Sequence, residues 1–160
     1  MMFRQPEQRF LSSYYYKDEK EEHMDLEVLK LENSGCYTKM LTRNSTGCKG
    51  SPPTRAEVEE AKFRLQTGFS FVGITDYWNL SICLFNKMFN QECHALQFAN
   101  ARPTTTKHSS SYDTSILKGY RDPYDTELFD VAMQIFKGNL EKYKVSESSC
   151  QSCWHEAGVL

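Results

Sequence analysis

The residues best suited to chemistry stand near the start of the chain. Arg4 is followed by Gln5, Pro6, Glu7, Gln8, Arg9, Phe10, Leu11 and Ser12, and then by Tyr14, Tyr15 and Tyr16. A guanidinium is a planar, permanently charged fork that matches phosphate or sulfate oxygens. Pro6 suits the first position of a helix, where its missing N–H costs nothing. A helix N-terminus presents unpaired N–H groups and a partial positive charge, both favourable to anions. Arg4 would stand just ahead of that terminus, and Ser12, off the apolar face, adds a hydroxyl donor. Read blandly, the same residues make an ordinary solvated face. A second candidate is the polar stretch over 100–111, where Arg102, Thr104, Thr105 and Lys107 place two cations and two hydroxyls together. Such a loop can close over an anion, or simply be solvated.

Other reactive side chains are less informative. The histidines are His23, His94, His108 and His155, each of them read as an ordinary surface residue, and the catalytic residues are unassigned. The six cysteines allow several pairings. Cys36 and Cys48 bracket a loop, Cys83 and Cys93 lie close in sequence, and in an oxidising compartment either pair can bridge; the connectivity is not deducible from spacing. Cys83 also fits a core position on an apolar helix. Cys150 and Cys153 form a lone Cys-x-x-Cys without the second pair that a zinc site needs, so no metal is expected. A local disulfide or a disordered tail fits this motif better. Asn44-Ser45-Thr46 and Asn79-Leu80-Ser81 match the glycosylation sequon; the second opens an apolar helix and reads as accidental.

These groups need elements to hold them. The pattern predicts a helix over 5–17, with Phe10, Leu11, Tyr14 and Tyr15 on one face. The stretch over 17–27 carries two Lys against six Asp or Glu and reads as a solvated loop or helix face. Residues 44–53 are a loop by their Asn, Ser, Gly and Pro content. Thr54 and Glu57 form a capping box ahead of a helix striped by Val58, Ala61 and Leu65 and ended near Gly68. The run over 69–74 reads as a strand, 80–89 as a buried helix, and Asp122-Pro123 opens a helix striped by Leu128, Ala132, Ile135, Phe136, Leu140 and Tyr143. Residues 1–3 look like the end of a strand. The expected class is α/β and helix-rich, yet one good strand is too few for a stable sheet.

The segment from Arg4 to Ser12 resembles the 3′-phosphate-binding motif of the membrane-bound carbohydrate sulfotransferases, and among them the heparan sulfate 2-O-sulfotransferase-like members. The family pattern is Arg, an acidic residue, Pro, two variable residues, Arg, two apolar residues and Ser, followed by aromatics. Gln5 departs from it in place of the acidic residue. The likeness continues through Cys36-Tyr37-Thr38-Lys39-Met40-Leu41, the run over 69–75, the segment over 76–85 and Asp122-Pro123-Tyr124-Asp125, and so covers roughly residues 1–144. It implies a P-loop-type sulfotransferase fold and 3′-phosphoadenosine 5′-phosphosulfate as co-substrate. It also implies a glycan acceptor and a Golgi-lumenal setting. In this reading Arg4 and Ser12 hold the 3′-phosphate, Arg9 is structural or accessory, and the Arg102, Thr104, Thr105 and Lys107 loop covers the nucleotide. Only three residues precede Arg4, so the family's phosphosulfate loop and its Lys are not in this chain. The expectation is an incomplete fold: residues 1–144 as the later part of a sulfotransferase domain, weakly active or inactive alone, and residues 145–160 as a polar, disordered tail.

Composition narrows the field further. The chain has 160 residues, and its net charge of −2 disfavours a generic nucleic-acid binder. No apolar stretch is long enough to span a membrane. Two other classes compete with the enzyme: a non-catalytic α/β remnant that binds an anion or a protein partner, and a secreted, disulfide-stabilised binding module.

Overall fold

The computed structural model describes residues 1–18, 25–43, 47–99 and 111–159. The chain forms two compact units. The first comprises Met1–Phe3, Ser70–Lys107 and Ala132–Leu160; the second comprises Arg4–Phe69 and His108–Val131. The division does not fall at residue 144, and each unit is assembled from separated segments. At the coarse level the fold is helix-rich α/β with a two-stranded parallel sheet.

In the first unit, β1 (Met2–Phe3) pairs in parallel with β2 (Gly73–Ile74), Met2 opposite Gly73 and Phe3 opposite Ile74. The Gly73 N–H donates to the Met1 carbonyl at 2.9 Å. A Cβ at Gly73 would run into Met2 Sδ and lie 2.8 Å from the Phe71 ring, so these side chains would have to shift to admit one. The predicted strand over 69–74 is thus shorter than expected, since β1 offers a partner only to its last two residues. A 3₁₀ turn (Thr75–Tyr77) leads into α5 (Trp78–Phe89). The helix is pinned to the strand by Ser81, whose fully buried hydroxyl donates to the Ile74 carbonyl and accepts the Ile74 N–H, both at 2.9 Å.

Residues 145–159 depart from the expected tail. They carry α7 (Gln151–Glu156), and Val145, Cys150, Cys153, Trp154 and Ala157 are buried. Disulfides Cys83–Cys150 and Cys93–Cys153 hold this segment to α5 and the chain after it. The Trp154 indole N–H also donates to the Asn79 carbonyl at 3.3 Å. Neither a Cys83–Cys93 bridge nor a local Cys150–Cys153 bridge forms. Apolar burial and covalent cross-links, which composition does not reveal, order a segment that is polar on its remaining faces.

The second unit is helical. Helix α1 (Pro6–Asp18) packs Phe10 and Leu11 against Leu29 of α2 (Leu26–Asn33) and Leu117 of a 3₁₀ turn (Thr114–Leu117). Tyr14, Tyr15, Tyr112 and Tyr120 flank this cluster. Asp25 caps α2 by accepting the Glu27 N–H at 2.7 Å, an order within the acidic run that charge alone concealed. Helix α3 (Cys36–Thr42) packs against α4 (Arg55–Gly68). The predicted capping box of Thr54 and Glu57 is present, and Val58, Ala61 and Leu65 are buried. Gly35 enters α3 with φ of +64°, and a Cβ there would collide with Pro53. Cys36–Cys48 bridges α3 to the loop that follows it. Helix α6 (Asp125–Lys142) starts in this unit and continues in the first. Among the described residues no helix is long and apolar enough to cross a membrane.

Candidate functional site

The route from β1 into α1 positions the first candidate residue. Arg4 follows the carboxyl end of β1 and lies two residues before α1. Its backbone N–H donates to the Tyr37 hydroxyl at 2.9 Å, and its guanidinium carbon lies 5.2 Å from the centre of the Tyr112 ring. Tyr112 in turn stacks on Tyr15, with centroids 5.2 Å apart and planes at 20°. Gln8 clamps the Tyr112 backbone from α1: its Nε2–H donates to the Tyr112 carbonyl at 2.9 Å, and its Oε1 accepts the Tyr112 N–H at 2.7 Å.

Gln5 is the residue that departs from the family pattern, and it caps α1. Its backbone carbonyl accepts the Arg9 N–H at 2.9 Å and its Oε1 accepts the Gln8 N–H at 3.1 Å. A neutral amide carbonyl therefore fills the acceptor role that N-capping requires. Its Nε2 donates to Glu7, whose other oxygen accepts the Asp122 N–H at 3.3 Å. The Gln8 N–H is therefore already paired within the chain. Ser12 is half-buried in α1, about 9 Å along the helix axis from Pro6 by the rise per residue. Arg4 precedes α1, whereas Ser12 lies within it. Arg102, Thr104, Thr105 and Lys107 lie outside the described residues, as does the Asn44-Ser45-Thr46 sequon.

Beneath α1 lies a buried polar network. Arg9 packs its guanidinium 4.9 Å from the Tyr37 ring centre, donates to the Asn33 carbonyl at 3.2 Å and approaches Asp125 at 3.6 Å. Asp125, fully buried, accepts from the Tyr37 and Thr38 N–H groups and the Thr38 hydroxyl at 2.8–2.9 Å. Asp122 accepts from the Gly35 N–H at 2.8 Å and from the N–H groups of Tyr124 and Asp125, which starts α6. Burial, then the neighbouring Asp122, pushes the Asp125 carboxyl above its ordinary value. Burial likewise raises the Tyr37 hydroxyl, so it stays protonated at neutral pH. Lys39 is also fully buried, and its ammonium donates to the carbonyls of Glu32, Cys48 and Gly50 at 3.0–3.1 Å. Burial, then Arg43, lowers its pKa.

This network fixes the geometry of α1 against α3 and the start of α6; it turns its charged atoms inward. Arg9 belongs to it, whereas Arg4 stands at its edge. The sequence reading named Asp122, Asp125, Tyr37 and Lys39 only as parts of longer motifs. The Asp122 and Asp125 spacing at a helix start is the one local signal that marks an acceptor pair there. Tyr112 and Gln8 carry no local signal, because 104 residues separate them. Among the described residues no group of His, Cys, Asp or Glu is arranged to hold a metal ion. The chain matches no family model, no curated protein and no solved structure.

Proposed function

We propose that this chain carries the 3′-phosphate-gripping part of a carbohydrate-type sulfotransferase with a P-loop-type fold. Such an enzyme moves a sulfuryl group from 3′-phosphoadenosine 5′-phosphosulfate to a sugar hydroxyl. Arg4 is the principal anion-binding group in this reading, Ser12 adds a hydroxyl, and Arg102, Thr104, Thr105 and Lys107 cover the nucleotide. The observation that carries the reading is the Arg4 to Ser12 pattern, with Arg4 two residues before a helix whose start is capped by Gln5. An anion bound there would meet the guanidinium edge-on, in the plane of its N–H donors, as charge-assisted hydrogen bonding requires. The buried network around Arg9 and Asp125 supports the same reading by keeping α1 in place.

The pairing of all six cysteines supports an oxidising compartment, such as the Golgi lumen. It also favours a second reading, a disulfide-stabilised binding module without chemistry. Calorimetry with adenosine 3′,5′-bisphosphate tests the site: wild type binds and Arg4→Ala binds at least tenfold more weakly, a loss of about 1.4 kcal/mol. Binding indifferent to Arg4 would refute the site. A labelled-donor sulfation assay on mixed glycans then separates enzyme from module, since turnover excludes the module and bisphosphate binding without turnover favours it.

A further inference from the structure

We infer that Cys93–Cys153 is a thiol–disulfide exchange site for a dithiol reductant, and that its opening passes through the Cys150-x-x-Cys153 pair to unlatch the C-terminal segment. The inference stands apart from the proposed 3′-phosphate site and lies wholly within the first unit. Two disulfides hold that segment, Cys83–Cys150 from α5 and Cys93–Cys153 from the chain after α5. Their surroundings differ. Cys83 and Cys150 are both buried. Cys93 is half-buried, and its neighbours Gln91, Glu92, His94 and Ala95 are exposed. Cys93 Sγ also accepts an N–H from the buried Asn86 amide at 3.1 Å. Gln97 holds that amide in place: its Oε1 accepts from Asn86 Nδ2 at 2.9 Å, and its Nε2–H donates to Asn86 Oδ1 at 3.0 Å. The two hydrogens of Nδ2 serve both acceptors.

Exchange is governed by access to the attacked sulfur and by the stability of the thiolate that leaves. Access selects Cys93. The Asn86 N–H draws electron density from its sulfur, and a donor in that position stabilises a thiolate formed there. A reductant thiolate attacks Cys93 Sγ, the Cys93–Cys153 bond breaks, and the electron pair leaves on Cys153 Sγ. The Cys153 thiolate then attacks Cys150 Sγ. Cys150–Cys153 forms, Cys83–Cys150 breaks, and Cys83 leaves and takes a proton. The second thiolate of the reductant resolves the mixed disulfide at Cys93, which leaves and takes the other proton. The dithiol has become its disulfide, giving two electrons and two protons, and the chain has one disulfide fewer. The internal step needs Cys150 and Cys153 on one helix face. Cys150 has helical backbone angles, and its carbonyl accepts the Trp154 N–H at 3.0 Å. Residues three apart on a helix have Cβ atoms about 5–6 Å apart, a small shift from the ~3.5–4.5 Å that a disulfide spans. A single two-electron reduction thus removes both bridges and leaves α7 on non-covalent contacts such as the Trp154 hydrogen bond to Asn79.

The test uses the full chain with its disulfides formed and limiting dithiothreitol, followed by acid quench, maleimide labelling and peptide mapping without further reduction. The expected dominant product in the first unit carries label on Cys83 and Cys93 and a C-terminal peptide closed by Cys150–Cys153. Label on Cys93 and Cys153 with Cys83–Cys150 intact would overturn the relay, as would label on Cys83 and Cys150 with Cys93–Cys153 intact. In a paired Cys93→Ser and Cys153→Ser variant, Cys83–Cys150 is expected to open about tenfold more slowly than in wild type, because the neighbouring thiolate is gone. An equal rate would overturn the inference. Should that variant fail to form Cys83–Cys150, the wild-type mapping decides by itself.

Discussion

Replacing Lys39 by methionine probes the interior that keeps α1 in place. The ammonium is fully buried and donates to three main-chain carbonyls, Glu32, Cys48 and Gly50. Methionine keeps most of the apolar stem but leaves those carbonyls without their donor. A buried polar group stripped of its partner costs about 1–3 kcal/mol. Three acceptors, partly rehydrated through the loop over 47–53, bring the loss to about 3–5 kcal/mol, the range for breaking a buried charged arrangement. With a urea m-value of about 2 kcal/mol/M, the midpoint should drop by about 2 M. The variant should also respond differently to pH. Asp125 has a folded pKa above its ordinary 3.8, so its favourable contribution is present below that value and lost as pH rises through the folded one. Asp125 favours the charged form of Lys39, so by reciprocity the Lys39 charge favours the ionised Asp125 carboxylate. Its loss raises the Asp125 value further, and the stability deficit should widen as pH rises above the ordinary carboxylate range. Urea titrations of both proteins at several pH values, with the disulfides intact, measure this. An unchanged midpoint, or a deficit that shrinks toward neutral pH, would refute the reasoning.

Three further outcomes follow from the same structure. Ser81→Ala removes a buried hydroxyl that both donates to and accepts from Ile74, and should cost about 1–3 kcal/mol in chemical denaturation. Peptide mapping without reduction should recover Cys36–Cys48, Cys83–Cys150 and Cys93–Cys153, and a paired Cys83→Ser and Cys150→Ser variant should lose about 4 kcal/mol, given its long closed loop. Glu57 is held down from 4.5 to about 2, first by Arg43 and then by the Thr54 N–H. Its contribution is complete above pH 4.5 and lost as pH falls toward 2, so Glu57→Gln should flatten that acid limb of stability against pH.

The helices whose stripe is regular were legible in the sequence. Helices α1, α4, α5 and α6 follow from spacing and from the Thr54 and Pro6 start signals, because their cores face one side. Helix α2 was hidden by acidic residues that read as solvated, although only Leu29 and the aliphatic stem of Lys30 need be buried to dock it. Helix α3 is short and takes its start from Gly35, whose positive φ and fit against Pro53 depend on distant chain. Of the two pairings that sequence proximity offered, Cys36–Cys48 forms, whereas Cys83–Cys93 does not, because the fold brings each of these to α7 or the residue before it. Of the candidate site, Arg4 and its helix were readable from the local motif. The ring beneath Arg4 was not, because a pairing such as Gln8 with Tyr112 exists only after the chain has folded.

The most direct measurement is a crystal structure of the chain with adenosine 3′,5′-bisphosphate. The expected result is 3′-phosphate oxygens at about 2.7–2.9 Å from the Arg4 guanidinium, with that group still resting on Tyr112. A bisphosphate bound elsewhere, or a 3′-phosphate that leaves Arg4 uncontacted, would contradict the site.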